Sequence, residues 1–218
     1  MTKPLSETCR LCGGQASLYY RDRNRPYFSC ETCSLVFTPP AFFLTAFDEK
    51  QHYDLHDNNP KDPGYRQFLG RLYGPMTARI PAHSSGLDFG SGPGPTLSLM
   101  FEEAGHTMAI YDLYYANTPA VLEQHYDFIT ASEVAEHLHH PDRELERLWQ
   151  LLKPGGFLGI MTKRVTRQEA FATWHYINDP THVCFFHANT FQWLADKWGA
   201  TVDFPAPDVA IFEKGHSF

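Results

Sequence analysis

The sequence is short of several things, and each shortage excludes a class of protein. No stretch approaches the roughly 18 uninterrupted apolar residues of a transmembrane helix. The segment Met1–Cys9 has no apolar core of a secretory signal, so a soluble cytoplasmic protein is the expectation. Positive charge is scarce: 18 Lys and Arg stand against 25 Asp and Glu, a formal net charge of −7. A general binder of phosphate backbones carries the opposite balance. Neither the phosphate loop G-x-x-x-x-G-K-[ST] nor the nucleophile motif G-x-S-x-G occurs. Cysteines number only five, and in a reducing compartment they read as metal or thiol chemistry before disulfides. Aromatic residues, in contrast, are plentiful: 17 Phe, 11 Tyr and 4 Trp, or 15% of the chain. That excludes a disordered chain and suits aromatic-lined walls. A length of 218 residues allows one domain and a small extra module.

Four of the cysteines form a pattern. Cys9 and Cys12 are two residues apart, as are Cys30 and Cys33, with 17 residues between the pairs. This is the spacing of a structural zinc site, in which four thiolates close the tetrahedron and leave no position for catalysis. Gly13 and Gly14 permit the tight turn that brings backbone amides toward the sulfurs. Ala16–Tyr20 and Pro26–Cys30 flank the polar Arg21–Arg25, a hairpin with a charged tip; strand, turn and strand with a thiolate pair at each end describe a zinc ribbon. Cys184 stands alone in an apolar run as a small core residue.

Residues 39–84 are punctuated by Pro39, Pro40, Pro60, Pro63, Pro75 and Pro81 and include His52, Tyr53 and His56. From Tyr65, apolar positions recur at helical spacing until Gly74-Pro75 interrupts them. The pattern fits one or two helices, either a linker with a core-facing stripe or a cap over a ligand site.

The main domain begins near residue 85. Leu87-Asp88-Phe89 reads as a strand, followed by Gly90-Ser91-Gly92-Pro93-Gly94-Pro95 and an amphipathic helix through Leu97, Met100, Phe101 and Ala104. Gly94 suits the helix cap and Pro95 its first position. Thr107–Tyr111 reads as a second strand closing on Asp112. Strand, glycine turn, helix and strand ending in an acid is a nucleotide-binding βαβ half. The dinucleotide fingerprint fails at Pro95. A cofactor without phosphates, bearing an ammonium, a sulfonium and a ribose diol, fits better, with acids beside bare glycine backbone.

At this point the sequence resembles class I S-adenosylmethionine-dependent methyltransferases. Ser132-Glu133-Val134-Ala135-Glu136-His137-Leu138 is similar to the E-V-x-E-H segment of the ubiquinone-biosynthesis-like members. Leu152-Lys153-Pro154-Gly155-Gly156-Phe157 resembles their turn before strand five, and His182-Val183-Cys184-Phe185-Phe186 their H-x-x-F-F element. The likeness spans about residues 85–204. It implies a doubly wound, Rossmann-like α/β sheet. The cofactor residues it implies are Asp88, Gly90, Ser91, Gly92, Gly94, Asp112, Leu113, Ser132 and Glu133. Two departures stand out. Only 14 residues separate Asp112 from Asp127, so the third strand and its helix are shortened, and the acid that members place after that strand has no counterpart.

The expected organisation is a zinc ribbon over 1–38, a helical cap over 39–84 and a methyltransferase domain over 85–218. Asp203-Phe204 and Val209–Phe212 are its last strands. The expected reaction is in-line methyl transfer from S-adenosylmethionine to a small-molecule O, N or activated C acceptor. Glu133 and His137 are four apart and would share a helical face, letting Glu133 orient His137 as a general base; helix-end packing is the other reading of His137. His182 is the alternative base. Trp174, Tyr176, Phe185 and Phe186 would wall it, and His139 and His140 would form a solvated helix end. His175, Asp179 and His182 are ligand types whose spacing fits no specific metal site. Two other functions remain open. The ribbon's Lys3, Arg10, Arg21, Arg23 and Arg25 would suit RNA and a base methyltransferase, or the fold would bind the cofactor without turnover.

Overall fold

The structure is a computed structural model and describes residues 6–55 and 58–216. Lys3 and His56 lie outside them. The chain opens with strands β1 (Ser6–Thr8), β2 (Gln15–Arg21), β3 (Pro26–Cys30) and β4 (Val36–Phe37). These pair antiparallel in sequence order. The hairpin expected from the alternating residues is β2–β3. Helices α1 (Ala46–Tyr53) and α2 (Pro63–Thr77) follow. Thr45 and Asp62 cap them by accepting from Asp48 N and Gly64 N. The expected break at Gly74-Pro75 does not occur: α2 runs through Pro75 and ends two residues later. Pro75 forgoes the backbone hydrogen bond to Arg71 O, a cost that the packing of Leu69, Leu72 and Met76 in the core offsets.

The remaining elements build the central sheet. In order they are β5 (Ser85–Phe89), α3 (Thr96–Glu103), β6 (Thr107–Tyr111), β7 (Tyr126–Ser132), α4 (Pro141–Leu151), β8 (Leu152–Met161), α5 (Gln168–Phe171), β9 (Cys184–Phe185), α6 (Ala188–Trp198), β10 (Thr201–Ala206) and β11 (Val209–Glu213). The sheet order is β10-β11-β8-β7-β5-β6. β6, β5, β7 and β8 are parallel, and β11 and β10 complete the sheet antiparallel. Among the described residues no strand forms between β6 and β7; a short 3-10 turn, Pro119–Glu123, stands there. The third strand is thus absent rather than shortened, and β6 becomes the edge. Fourteen residues cannot make a strand plus the crossover that a parallel neighbour requires.

Both faces of the sheet are buried, as a parallel sheet demands. The two-residue period of β11 shows the sorting. Val209 and Ile211 pack with Leu69, Leu72, Met76 and Phe101 of α2 and α3 on one face. Ala210 and Phe212 pack with Leu145, Leu148, Phe191 and Leu194 of α4 and α6 on the other. Helix α2 is therefore a layer of the main fold. No helix among the described residues is long and apolar enough to cross a membrane.

The ribbon does not stand apart. Its sheet takes a fifth strand from far along the chain: β9 pairs antiparallel with β4, Val36 opposite Phe185 and Phe37 opposite Cys184. Cys184 is fully buried in this seam and donates its thiol to Leu138 O at 3.3 Å. The expected charged tip is also corrected. Arg25 is only 6% exposed. It donates to Tyr27 Oη (2.9 Å) and to the carbonyls of Pro180 (3.1 Å), Ile177 (3.1 Å) and Asp179 (2.8 Å). Arg10 likewise turns inward, donating to His139 O at 2.7 Å. Two of the five basic residues that favoured an RNA surface are thus spent on internal contacts.

Arg25→Ala strands these acceptors and should lower unfolding free energy by about 2–3 kcal/mol. Arg25→Lys, with fewer donors, should recover only part of that loss. Urea unfolding of both variants checks this, and an unchanged midpoint for Arg25→Ala would mean that water satisfies the carbonyls.

Candidate active site

The carboxyl ends of β5, β6 and β7 open into a cavity of about 850 Å³. Open parallel sheets place ligands at these strand ends because the loops there diverge. Gly90 and Gly92 have φ of +75° and +65°. A Cβ on Gly90 would fall 2.3 Å from Val134 Cγ2, and one on Gly94 2.1 Å from Asn58 O. Glycine is therefore required both for the turn and for the closeness of its neighbours. Helix α3 is capped one residue later than expected, at Pro95, while Gly94 packs against Asn58.

Acids frame this loop. Asp88 is fully enclosed, accepting from Thr130 Oγ1 (2.8 Å) and Ser98 Oγ (3.3 Å). Burial pushes its carboxyl up to about 6. Asp112 Oδ2 accepts from Gly92 N (2.9 Å), while Oδ1 takes the amides of Tyr114 (2.8 Å) and Tyr115 (3.1 Å). The carboxylate thus holds the glycine loop and the turn after β6 together. Tyr114 and Tyr115 donate to Glu49 (2.7 Å) and Asp54 (2.6 Å), which tie α1 over that turn. Ser91 Oγ and Ser132 Oγ are buried without a hydrogen-bond partner among the described residues, and both serines line the cavity. Leu113 lines it with 59% of its surface exposed.

The far end of the cavity is built from β7 and the loop before β9. Glu133 closes β7 with φ +53°, a conformation a non-glycine residue holds at a cost. Its Oε1 is buried without a hydrogen-bond partner among the described residues, and burial, then the nearby Glu136, push its carboxyl up to about 8. Beyond it, residues 135–137 form one 3-10 turn. Glu133 and His137 therefore share no helical face, and the expected orienting contact does not form: the positive φ ends the strand in a reversal that four-residue spacing does not foresee.

His137 is instead set edge-on to His182, ring centroids 4.7 Å apart, and to Tyr53 at 5.2 Å. Its Nδ1 lies 3.3 Å from Thr181 O. His182 Nδ1 lies 2.8 Å from Tyr176 O, so that nitrogen carries the proton and donates. Burial first, then His137, hold His182 below its ordinary value. Glu136 is wholly buried. Tyr176 Oη donates to its Oε1, while Oε2 has no partner among the described residues. Burial pushes the Glu136 carboxyl up. One donor atom each from Glu136, His137 and His182 lie within 4.8 Å of one another.

The ribbon cysteines also converge, with all four sulfurs within 4.8 Å of one another. Leu11 N and Gly14 N donate to Cys9 and Cys12, and Thr32 N to Cys30, each at 3.4 Å. The two halves match: Gly13 N bonds Cys9 O, Ser34 N bonds Cys30 O, and both residues take positive φ. The donor set and its spacing are compatible with zinc.

Residues 63–203 match the sequence profile of the methyltransferase domain. The chain belongs to the methyltransferase-domain family. Solved structures share its fold. The 1,6-didemethyltoxoflavin-N1-methyltransferase of Burkholderia thailandensis, with 1,6-didemethyltoxoflavin and S-adenosylhomocysteine bound, is 16% identical at a TM-score of 0.50, over 90% of this chain and 98% of that one. An O-methyltransferase family protein of Burkholderia thailandensis is 14% identical at a TM-score of 0.50, over 79% of this chain and 64% of that one.

Several methyltransferase site residues stand elsewhere than sequence suggested. Of the expected wall around His182, Tyr176 (ring centroids 4.1 Å) and Phe185 (6.5 Å) pack on it, while Trp174 packs on Tyr176 and Phe186 on Phe191. The cavity's aromatic walls include Tyr53, Tyr65, Phe68, Tyr114 and Tyr115. His139 is no solvated end: its Nε2 lies 3.3 Å from Glu49 Oε1 and its ring stacks on Phe43 at 4.3 Å. His140 caps α4 and lies 3.1 Å from Arg10. His175 bonds Lys163 at 2.8 Å and stands apart, while His182 keeps Asp179 beside it at 3.7 Å and groups with Glu136 and His137. Glu136 is the residue sequence reasoning passed over; its adjacency to His137 was the available signal.

Asp88 carries a pH signature. Folding raises its pKa from 3.8 to about 6, so folding disfavours its charged form. The stabilising share of the protonated group is complete below about 4 and is lost as pH rises through about 6. Urea unfolding of the cofactor-free chain across that window should show the slope, and Asp88→Asn should flatten it.

Proposed function

We propose that this methyltransferase uses S-adenosylmethionine to methylate a small-molecule O, N or activated C acceptor, with a structural zinc ion in its ribbon. The observation that carries this reading is the pair of partnerless buried hydroxyls, Ser91 and Ser132, beside a glycine loop held by Asp112. That donor set suits a ligand with a ribose diol and a cationic amino-acid end. Asp112 would accept from the ribose hydroxyls, Leu113 would offer apolar surface to a flat ring, and Gly90, Gly92 and Gly94 would let backbone approach. Asp88 and Glu133 would place negative charge near the cationic end. S-adenosylmethionine supplies a methyl group on a positively charged sulfur, displaced in line by the acceptor.

The residues at the far end then do three things. Tyr53 and α1 cover the acceptor space and limit water. The loop 174–182, stapled by Arg25, fixes His182. An O–H or N–H acceptor sheds its proton at the His137–His182 pair, the imidazoles placed at that end of the cavity.

Zinc should co-purify at one per chain, bound by Cys9, Cys12, Cys30 and Cys33. Cys30→Ser should lower stability while the surviving folded protein keeps its cofactor affinity; metal-free, reduced protein of full stability would overturn the assignment. S-adenosylhomocysteine should raise the melting temperature where NAD and ATP do not, and Asp112→Ala should weaken its binding by about 1.5–3 kcal/mol in calorimetry. An acceptor-pool screen detecting S-adenosylhomocysteine release would identify the substrate. With that acceptor, His137→Ala or His182→Ala should lower kcat by about 10²–10⁴ with cofactor affinity nearly unchanged. Wild-type kcat in both variants would mean that alignment alone carries the chemistry, and tight NAD binding with none of S-adenosylhomocysteine would refute the cofactor assignment.

A further inference from the structure

The carboxylate of Glu136 is wholly buried. One oxygen receives Tyr176 Oη; the other is enclosed and has no hydrogen-bond partner among the described residues. Burying a carboxylate in this state is expensive unless something positive completes it. Two imidazoles converge on the same point, with a donor atom of each residue within 4.8 Å of the others. His182 Nδ1 is tied to Tyr176 O at 2.8 Å, with its Nε2 3.7 Å from Asp179 Oδ2, and His137 Nδ1 lies 3.3 Å from Thr181 O. A backbone carbonyl on one ring nitrogen is how proteins fix a histidine whose other nitrogen binds metal. Glu136 has the matching support in Tyr176, and that hydroxyl is itself 3.2 Å from Thr162 Oγ1. All three residues line the cavity, so the open side of the trio faces the acceptor space.

We propose that Glu136, His137 and His182 form a binding site for a divalent transition-metal ion in the acceptor end of the cavity. Two imidazoles and one carboxylate on one face suit Zn²⁺, Co²⁺, Mn²⁺ or Fe²⁺ and leave coordination positions open. The site is separate from the four-cysteine cluster, which has no position to spare. The acceptor it favours is a hydroxyl compound, because a cation lowers the pKa of a hydroxyl placed against it. That assignment of role rests on the methyl-transfer reading above. The hydroxyl proton then passes to cavity water. The oxygen's electron pair forms the bond to the methyl carbon as the carbon–sulfur bond breaks, its pair staying on sulfur. With the ion bound, the two imidazoles act as ligands in place of the base role given above, and the turnover loss when either is removed follows from lost metal.

The test uses the full chain with zinc already in its ribbon. Co²⁺ titration should show about one further equivalent per chain, with visible d–d absorption and without the near-ultraviolet thiolate charge-transfer band of a cysteine site. Glu136→Gln and His182→Gln should each weaken that binding at least tenfold while S-adenosylhomocysteine binding, measured in parallel, shows the variants folded. Because a buried substitution can itself unfold the chain, pulsed electron paramagnetic resonance of Mn²⁺ on the unmutated protein gives an independent reading, with imidazole nitrogen coupling expected. Cobalt seen only with thiolate bands, together with manganese lacking nitrogen coupling, would overturn the proposal, and intact S-adenosylhomocysteine binding in that case leaves the methyl-transfer reading standing. Metal binding at the trio with no S-adenosylhomocysteine binding would support the site and sink the methyl-transfer reading.

Discussion

The pairing of β9 with β4 is the contact on which the acceptor end of the cavity depends. Val183 sits at its centre: its amide donates to Glu136 O at 2.8 Å, and its carbonyl accepts from Thr38 N at 3.0 Å. One residue of extended chain thus links the 3-10 turn after β7 to the ribbon. His182, immediately before it, is thereby brought against Glu136 and His137. The ribbon reinforces this from two sides, through Arg25 on the loop 174–182 and Arg10 on residues 139 and 140. Four thiolates closed on a metal would hold the hairpin that presents Arg10 and Arg25 without taking part in chemistry.

The cavity concentrates acids in a way a purely stability-driven core would not. Asp88, Glu133 and Glu136 are all enclosed and all pushed toward protonation by burial. Enclosed acids, partnerless serines and a glutamate at positive φ are local violations that gather where ligands bind. A cationic ligand relieves such a site, since it favours the ionised carboxylates that folding alone opposes. The stable frame elsewhere, with its two-sided apolar sheet, offsets this cost.

How much of this was readable in the sequence differs by element. The thiolate pairs, the glycine turn after β5 and the apolar run of the last strand, Val209–Phe212, were legible, because each is set by neighbours a few residues away. Ser34 taking the left-handed position that Gly13 takes was not, since a serine advertises no such backbone. The helical link between Glu133 and His137 was read from spacing alone, and the reversal at Glu133 removed it.

The sequence by itself determined the ribbon, the nucleotide-binding half and the family, through short-range geometry that the residue types impose. It also showed that the segment between Asp112 and Asp127 is short, though the structure, not the sequence, shows that no strand forms there. Only the tertiary structure decided which histidine meets which acid. Glu136 finds Tyr176 forty residues later, and Arg25 finds Asp179 across 154 residues. Contacts of that separation depend on strand order and on which loop a distant strand carries into the seam, and no local pattern of residues encodes either.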